Sequence, residues 1–78
     1  MTQPRRVQIF VFLPDEAVDV WRPVDAEQVS DELYRIVSEN PDPEDERWEF
    51  STGEVVRCVL KEFYGGKYSL VAIERVGT

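Results

Sequence analysis

The chain has 78 residues, of which 42% are hydrophobic, and its 16 acidic and nine basic side chains give a net charge of −7. This length suits one small domain, predicted over residues 1–78, and the apolar fraction is too high for a disordered chain. The absence of histidine excludes imidazole catalysis and histidine metal sites, and a single cysteine cannot form an intramolecular disulfide.

The first third of the chain alternates between hydrophobic and other residues. A first strand is predicted over residues 7–13, and a proline with two acidic residues breaks it at 14–17. A second strand is predicted over 18–27, where three valines and Ala26 share one face and Trp21 lies on the other. The period of two therefore predicts a half-buried sheet.

Residues 26–37 admit two interpretations. A polar turn at 30–32 followed by a third strand over 33–37 fits the β-leaning run of tyrosine, isoleucine and valine. A helix over 26–37 is the alternative, because apolar side chains there recur at helical spacing and Asp25 precedes them as a possible N-cap. The short spacing between turns favours the strand.

The second half of the chain predicts further strands separated by turns. Residues 40–46 contain two prolines and four carboxylates, which indicate a loop. The other predicted elements are a short extended piece at 48–50, a turn at 51–53, a strand over 54–63, a two-residue hairpin turn at Gly65 and Gly66, and a strand over 67–76.

About five strands in so short a chain must curl to bury one face and protect their edges. The predicted fold is therefore all-β: a small, SH3-like, partly open barrel of about five antiparallel strands. The alternative is an α+β fold with one short helix around 26–37.

The segment EAVDVWRPV at 16–24, with YRI at 34–36 and WEF at 48–50, carries a resemblance to a known family. It resembles short, functionally uncharacterised bacterial proteins built around an acidic-x-x-D-V-W-R-P-V element. Ala17 departs from the glycine expected in the acidic turn of that family. The resemblance covers nearly the whole chain and implies a compact β domain, with no established catalytic residues to transfer.

Charge is distributed unevenly along the chain. Residues 15–54 hold 14 acidic residues and three arginines, whereas residues 55–78 carry a net charge of +2. Acidic surfaces repel phosphate backbones, so no nucleic-acid binding is predicted. The strongest local concentration, predicted to be an acidic surface, consists of Asp42, Glu44, Asp45 and Glu46.

The acidic loop has two interpretations. It either attracts a basic partner by electrostatic steering or keeps a small protein soluble, and the second is the more ordinary role for such a loop. The loop lacks the central glycine and the terminal glutamate that an EF-hand calcium site requires. No metal site and no cofactor are predicted.

Four residues form the predicted partner-binding site. Phe10, Phe12 and Trp21 lie on faces opposite the aliphatic stripes of their strands, so they form either an exposed apolar patch or a secondary core covered by the rest of the chain. Arg22 is in phase with the buried valines, which indicates either pairing with a loop carboxylate or a bulge at Pro23. Trp and Arg dominate interface energetics, which favours Trp21 and Arg22 as a hot spot.

The chain is predicted to be cytoplasmic. Arg5 and Arg6 precede the apolar stretch at 7–13, but that stretch lacks a small-residue cleavage site. No segment has the roughly 20 apolar residues that a membrane span needs. Cys58 is predicted to face inward as an inert thiol, and the lack of a disulfide framework indicates a reducing compartment.

Three functional hypotheses remain. The first is a non-enzymatic protein-interaction module with an unknown protein partner or a homo-oligomeric state. The second is an acidic, inhibitor-like or immunity-like protein that masks a basic partner. The third, a small enzyme using Asp15, Glu16 and Asp19, is disfavoured because so small a barrel rarely provides a cleft that shifts a carboxyl pKa.

Overall fold

The computed structural model describes residues 6–76, apart from the side chain of Tyr64. The predicted domain limits of 1–78 extend beyond these residues, and Arg5 lies outside them. Five strands follow one another in chain order: β1 (Arg6–Phe12), β2 (Trp21–Gln28), β3 (Leu33–Ile36), β4 (Val55–Glu62) and β5 (Tyr68–Arg75).

The strands form a closed barrel in the order β1-β2-β3-β4-β5. Sequential strands pair antiparallel, whereas β5 meets β1 in parallel through one residue pair, Phe10 and Val71. The closing contact is parallel because five alternating strands begin and end in the same direction. The prediction of a small all-β, SH3-like barrel is confirmed, and the helix alternative over 26–37 is wrong because strand residues occupy most of that range.

The barrel core consists of the inward side chains that the period of two predicts. Ile9 and Val11 in β1 are completely buried, as are Ala26 in β2 and Val56 in β4. The same cluster also contains Leu13, Val24, Tyr34, Ile36, Trp48, Phe50, Cys58 and Ala72. Trp48 and Phe50 come from the irregular segment between β3 and β4, so this long connection is part of the core.

The second strand begins later than predicted. It starts at Trp21 rather than at residue 18, and Val18 is 71% exposed instead of facing the core. The Leu13 N–H donates to the Val20 carbonyl oxygen at 2.9 Å, so the chain reverses between these residues and Val18 lies in the turn. The other four strands agree with their predicted limits to within one residue at each end.

The hairpin between β4 and β5 has a longer turn than predicted. Tyr64–Gly66 form a single 3₁₀ turn, and the Phe63 N–H donates to the Lys67 carbonyl oxygen at 2.7 Å. Gly65 and Gly66 have φ angles of 72° and 75°, which explains the glycine pair because other residues rarely adopt this region. The glycine signal located the turn correctly but underestimated its length by one residue.

Candidate functional site

Three of the predicted partner-binding residues meet on the outside of the barrel. The β1–β2 register pairs Phe12 with Trp21 and Phe10 with Pro23, and it pairs the buried Ile9 with Val24. Because side chains alternate across a strand, Phe10, Phe12 and Trp21 project away from the core. The ring centroids of Phe12 and Trp21 are 5.1 Å apart and tilted by 59°.

Phe63, which the sequence analysis did not single out, completes this group. Its ring centroid lies 5.4 Å from that of Phe10 and 6.2 Å from that of Trp21, with edge-to-face packing on the indole. We call Phe10, Phe12, Trp21 and Phe63 the outer aromatic cluster. Alternation along the sequence could have predicted the position of Phe63. It continues the outward phase of Val59 and Lys61, whereas the buried Cys58 has the inward phase.

The outer aromatic cluster has features of both predicted alternatives, an exposed apolar patch and a covered secondary core. All four rings are partly buried, so they cover one another, yet each retains an exposed surface. Val71 alternates with the inward Ala72 and is the Cα partner of Phe10; although it lies outside the barrel core, it is only 2% exposed. The outer face therefore carries a small apolar cluster of its own.

Opposite charges flank the outer aromatic cluster. The Lys61 Nζ lies 6.0 Å from the Phe63 ring centroid, on the side of the β4–β5 hairpin. Because β5 runs parallel to β1, the turn that follows β1 and the hairpin that precedes β5 lie at opposite ends of these strands. The exposed carboxylates of that turn are Asp15, Glu16 and Asp19. The cluster is thus an apolar centre with a basic side and an acidic side.

Arg22, the fourth predicted partner-binding residue, belongs to a different site. It shares the inward phase of Val24 but lies at the end of the barrel, where its guanidinium bonds the Glu46 carboxylate through two nitrogens, with Nε 2.9 Å from Oε2. The alternative of a bulge at Pro23 is wrong, because β1 and β2 pair without a shift in register. Trp21 and Arg22 therefore point to opposite faces of β2 and do not form one hot spot.

Glu46 is the centre of the hydrogen bonds that hold the long connection. The Trp48 indole N–H donates to its carboxylate at 2.6 Å, and the Asn40 side-chain amide donates to its backbone carbonyl at 2.6 Å. We call Arg22, Asn40, Glu46 and Trp48 the loop anchor. Hydrogen bonds from the guanidinium and the indole lower the pKa of Glu46 below its ordinary value.

The loop anchor divides the predicted acidic surface. Asp42, Glu44 and Asp45 are exposed, whereas Glu46 is partly buried and paired with Arg22. The Asp42 N–H donates to the Asn40 side-chain oxygen at 2.9 Å, which joins the acidic loop to the loop anchor. Three of the four carboxylates thus remain on the surface, and the fourth is used to hold the loop.

Two shallow depressions flank Trp48. One, of about 490 Å³, lies along residues 40–52, and the other, of about 330 Å³, lies beside β2. Glu46 borders both, but Arg22 lowers its pKa, whereas a general acid near neutral pH needs a raised one. Neither depression is lined by the carboxylates of the enzyme hypothesis, Asp15, Glu16 and Asp19.

The sequence predicts neither a metal site nor a membrane span. Among residues 6–76, no three Cys, Asp or Glu side chains lie close enough to hold one metal ion. The same stretch includes no helix with the length and apolarity that a membrane crossing requires.

Ion pairs should make the stability of the protein depend on pH in the acid range. Arginine partners lower the pKa of Glu46, Glu54 and Glu74 below the ordinary value of 4.5. A lowered folded-state pKa contributes stability that is complete above the unfolded value and is lost as pH falls through the folded value. We expect a constant melting temperature near neutrality and a decline below about pH 4.5.

Circular dichroism melts between neutral and acidic pH would measure this decline. Glu46→Gln removes one titrating carboxylate, so the fall in melting temperature at acidic pH (the acid limb) should be smaller than in the parent chain. Asp42→Asn is the matched control and should leave the limb unchanged, because the Asp42 carboxylate makes no ion pair with a described residue. Equal acid limbs in the parent chain and Glu46→Gln would contradict the role of Glu46.

Cys58 should be unreactive in the folded protein. It is 2% exposed, and burial raises the pKa of its thiol to about 12. We expect a disulfide reagent at pH 8 to modify it only as fast as the barrel opens, and at once in denaturant. The combination Cys58→Ala with Val18→Cys moves the thiol to the exposed turn and should react rapidly; rapid reaction of the parent chain would contradict its burial.

No family model matches the chain, and no significant match was found among curated proteins or among solved structures. The resemblance to proteins with the D-V-W-R-P-V element therefore stays a prediction.

Proposed function

We propose that the chain is a non-enzymatic protein-interaction module that contacts its partner through the outer aromatic cluster. One observation carries the proposal: four partly exposed rings from separate parts of the chain gather on the outside of the barrel, with centroids 5.1–6.2 Å apart in the contacting pairs. The barrel core does not need them, because it is filled by a separate set of inward side chains. Clustered aromatic residues are typical of interface hot spots.

A protein partner fits this surface better than a nucleic acid. Single-stranded nucleic acids bind aromatic side chains whose faces are free for stacking, next to a basic groove. Here the contacting rings are tilted by 42–81° and pack against one another, and the chain carries a net charge of −7.

The same proposal places the module in the bacterial cytoplasm, where a lone thiol stays reduced.

The acidic loop supports a second candidate, an inhibitor-like protein that masks a basic partner. The specific observation is that the loop anchor holds the loop while Asp42, Glu44 and Asp45 remain exposed. Exposed carboxylates attract a basic partner. When the loop that carries them is already ordered, binding costs less conformational entropy than it would for a flexible loop. This candidate uses a surface on the long connection rather than the outer aromatic cluster.

Affinity capture with paired variants would distinguish the two candidates. Phe12→Ser with Trp21→Ser should abolish capture of any specific partner while far-UV circular dichroism stays unchanged. Two controls should retain capture: Val29→Ser in the exposed connection between β2 and β3, and Leu60→Ser on the opposite face of the β4–β5 hairpin. Neutralising Asp42, Glu44 and Asp45 together should matter only if the second candidate is correct. Capture of nothing by a chain that is also monomeric in solution, or capture that survives the loss of both rings, would contradict the proposed module.

A further inference from the structure

We infer that the outer aromatic cluster is the interface of a two-fold symmetric dimer, so that the partner is a second copy of this chain. This inference rests on the proposed function and names the partner of the same surface. Its basis is the arrangement of charge around the rings. A symmetric interface must match its own rotated copy, which an apolar centre with opposite charges at its two ends does.

The basic end of the surface is the β4–β5 hairpin. The Lys61 ammonium lies 6.0 Å from the Phe63 ring centroid. The Phe63 N–H bonds the Lys67 carbonyl oxygen, so the Lys67 backbone lies opposite Phe63 across the hairpin. Both lysines are exposed, and neither forms an ion pair with a described residue. Glu62 lies between Lys61 and Phe63 but has the opposite phase of the strand, so on the face of the rings two positively charged residues border this end.

The acidic end is the turn between β1 and β2. This turn leaves the strands at Phe12 and Trp21, whose rings form the adjoining half of the cluster. Its exposed carboxylates are Asp15, Glu16 and Asp19, and only Asp15 has a described partner, Arg47, at 3.8 Å. Negative charge thus borders the end opposite the lysines.

A two-fold rotation places the acidic turn of one copy against the basic hairpin of the other. Most other charges on the outward phase of β1, β2, β4 and β5 are paired, because Arg57 lies 2.8 Å from Glu74 and Arg6 lies 3.8 Å from Glu27. Asp25 in β2 is the exception among the described residues. A strongly basic partner would instead meet the lysines, and a strongly acidic one would meet the turn. The surface is therefore more complementary to itself than to a partner of either single charge.

The size of the surface predicts a weak dimer. One side of a standard interface contributes roughly 800 Å². Because the four rings are partly buried against one another, we expect this surface to supply less. We expect a dissociation constant on the order of 10–100 μM, weakening as salt screens the charged rims. The excess acidic residues of residues 39–49 lie on the long connection rather than on these strands, so they add little repulsion at the contact.

Sedimentation equilibrium at about 5–500 μM would measure the dimer, a range that brackets the expected constant. Lys61→Glu should weaken it by about tenfold or more, because it sets like charges against each other. Adding Glu16→Lys or Asp19→Lys to that variant should restore most of the affinity. Arg35→Glu makes the same charge change on β3, away from the cluster, and should have little effect. The second reversal also returns the net charge to −7, so Lys61→Glu with Asp42→Lys, which returns the same net charge away from the cluster, is the control and should not restore the dimer. Rescue at residue 16 or 19 but not at residue 42 requires contact between the two ends.

Several results would overturn the dimer. A monomeric chain at about 500 μM would do so, as would failure of both charge reversals to rescue Lys61→Glu. Loss of the dimer in Leu60→Ser would move the interface to the opposite face of the hairpin. If the chain is monomeric but capture still depends on Phe12 and Trp21, the dimer fails while the proposed function stands. If neither partner capture nor dimer formation depends on these rings, both proposals fail.

Discussion

Replacement of Trp48 by alanine should lower the free energy of unfolding by about 3–5 kcal/mol. Trp48 is 7% exposed and packs in the barrel core, and its indole N–H donates to Glu46. A chain of this length has a total stability of roughly 4–12 kcal/mol, so the loss is a large fraction of the whole. The effect is large because one side chain both fills the core and belongs to the loop anchor.

Urea unfolding followed by far-UV circular dichroism would measure the Trp48→Ala effect, with Trp21 left as a fluorescence reporter. Trp48→Phe is the matched control: it keeps an aromatic ring in the core but removes the donor to Glu46, so it should cost only about 1–2 kcal/mol. A Trp48→Ala protein within about 1 kcal/mol of the parent chain would show that the long connection is not part of the core.

Shortening Ile9 to alanine should cost about 2–5 kcal/mol. Its side chain is completely buried in β1 and pairs across the sheet with Val24, so the change leaves a cavity bounded by several strands. Chemical denaturation should show a lower midpoint with an unchanged dependence on denaturant, because the surface exposed on unfolding is nearly the same.

Two neighbouring substitutions test whether burial is the cause of the Ile9 effect. Ile9→Val removes one methylene and should cost about 0.5–1.5 kcal/mol. Gln8→Ala changes the adjacent exposed residue and should stay within about 0.5 kcal/mol of the parent chain. Similar losses at residues 8 and 9 would contradict the assignment of the two faces of β1.

The loop anchor and the outer aromatic cluster have separate physical roles. The loop anchor ties the long connection to β2 through Glu46, and its groups satisfy one another. The outer aromatic cluster lies on the other face of β2 and retains exposed ring surface. Substitutions of Arg22 therefore bear on loop order and stability, whereas substitutions of Trp21 bear on association.

Local patterns were sufficient for the strands and for part of the site. Alternation along β1 places Ile9 and Val11 inside and Phe10 and Phe12 outside, because the side-chain period of a strand depends on the backbone alone. The same periodicity failed at Val18, where a backbone hydrogen bond between Leu13 and Val20 reverses the chain. The proline and two acidic residues at 14–17 marked the start of this turn, but its end was missed because Val18 and Val20 continue the alternation.

The sequence by itself determined an all-β chain without imidazole chemistry, the inward and outward faces of its strands, and a strongly acidic middle region, because composition and side-chain alternation are local properties. Only the tertiary structure brought Phe63 onto Phe10 and Trp21, and only it joined Arg22 to Glu46. These contacts depend on how the closed barrel positions the end of β4 and the long connection, and no periodicity within one segment encodes a distance between segments far apart in the chain.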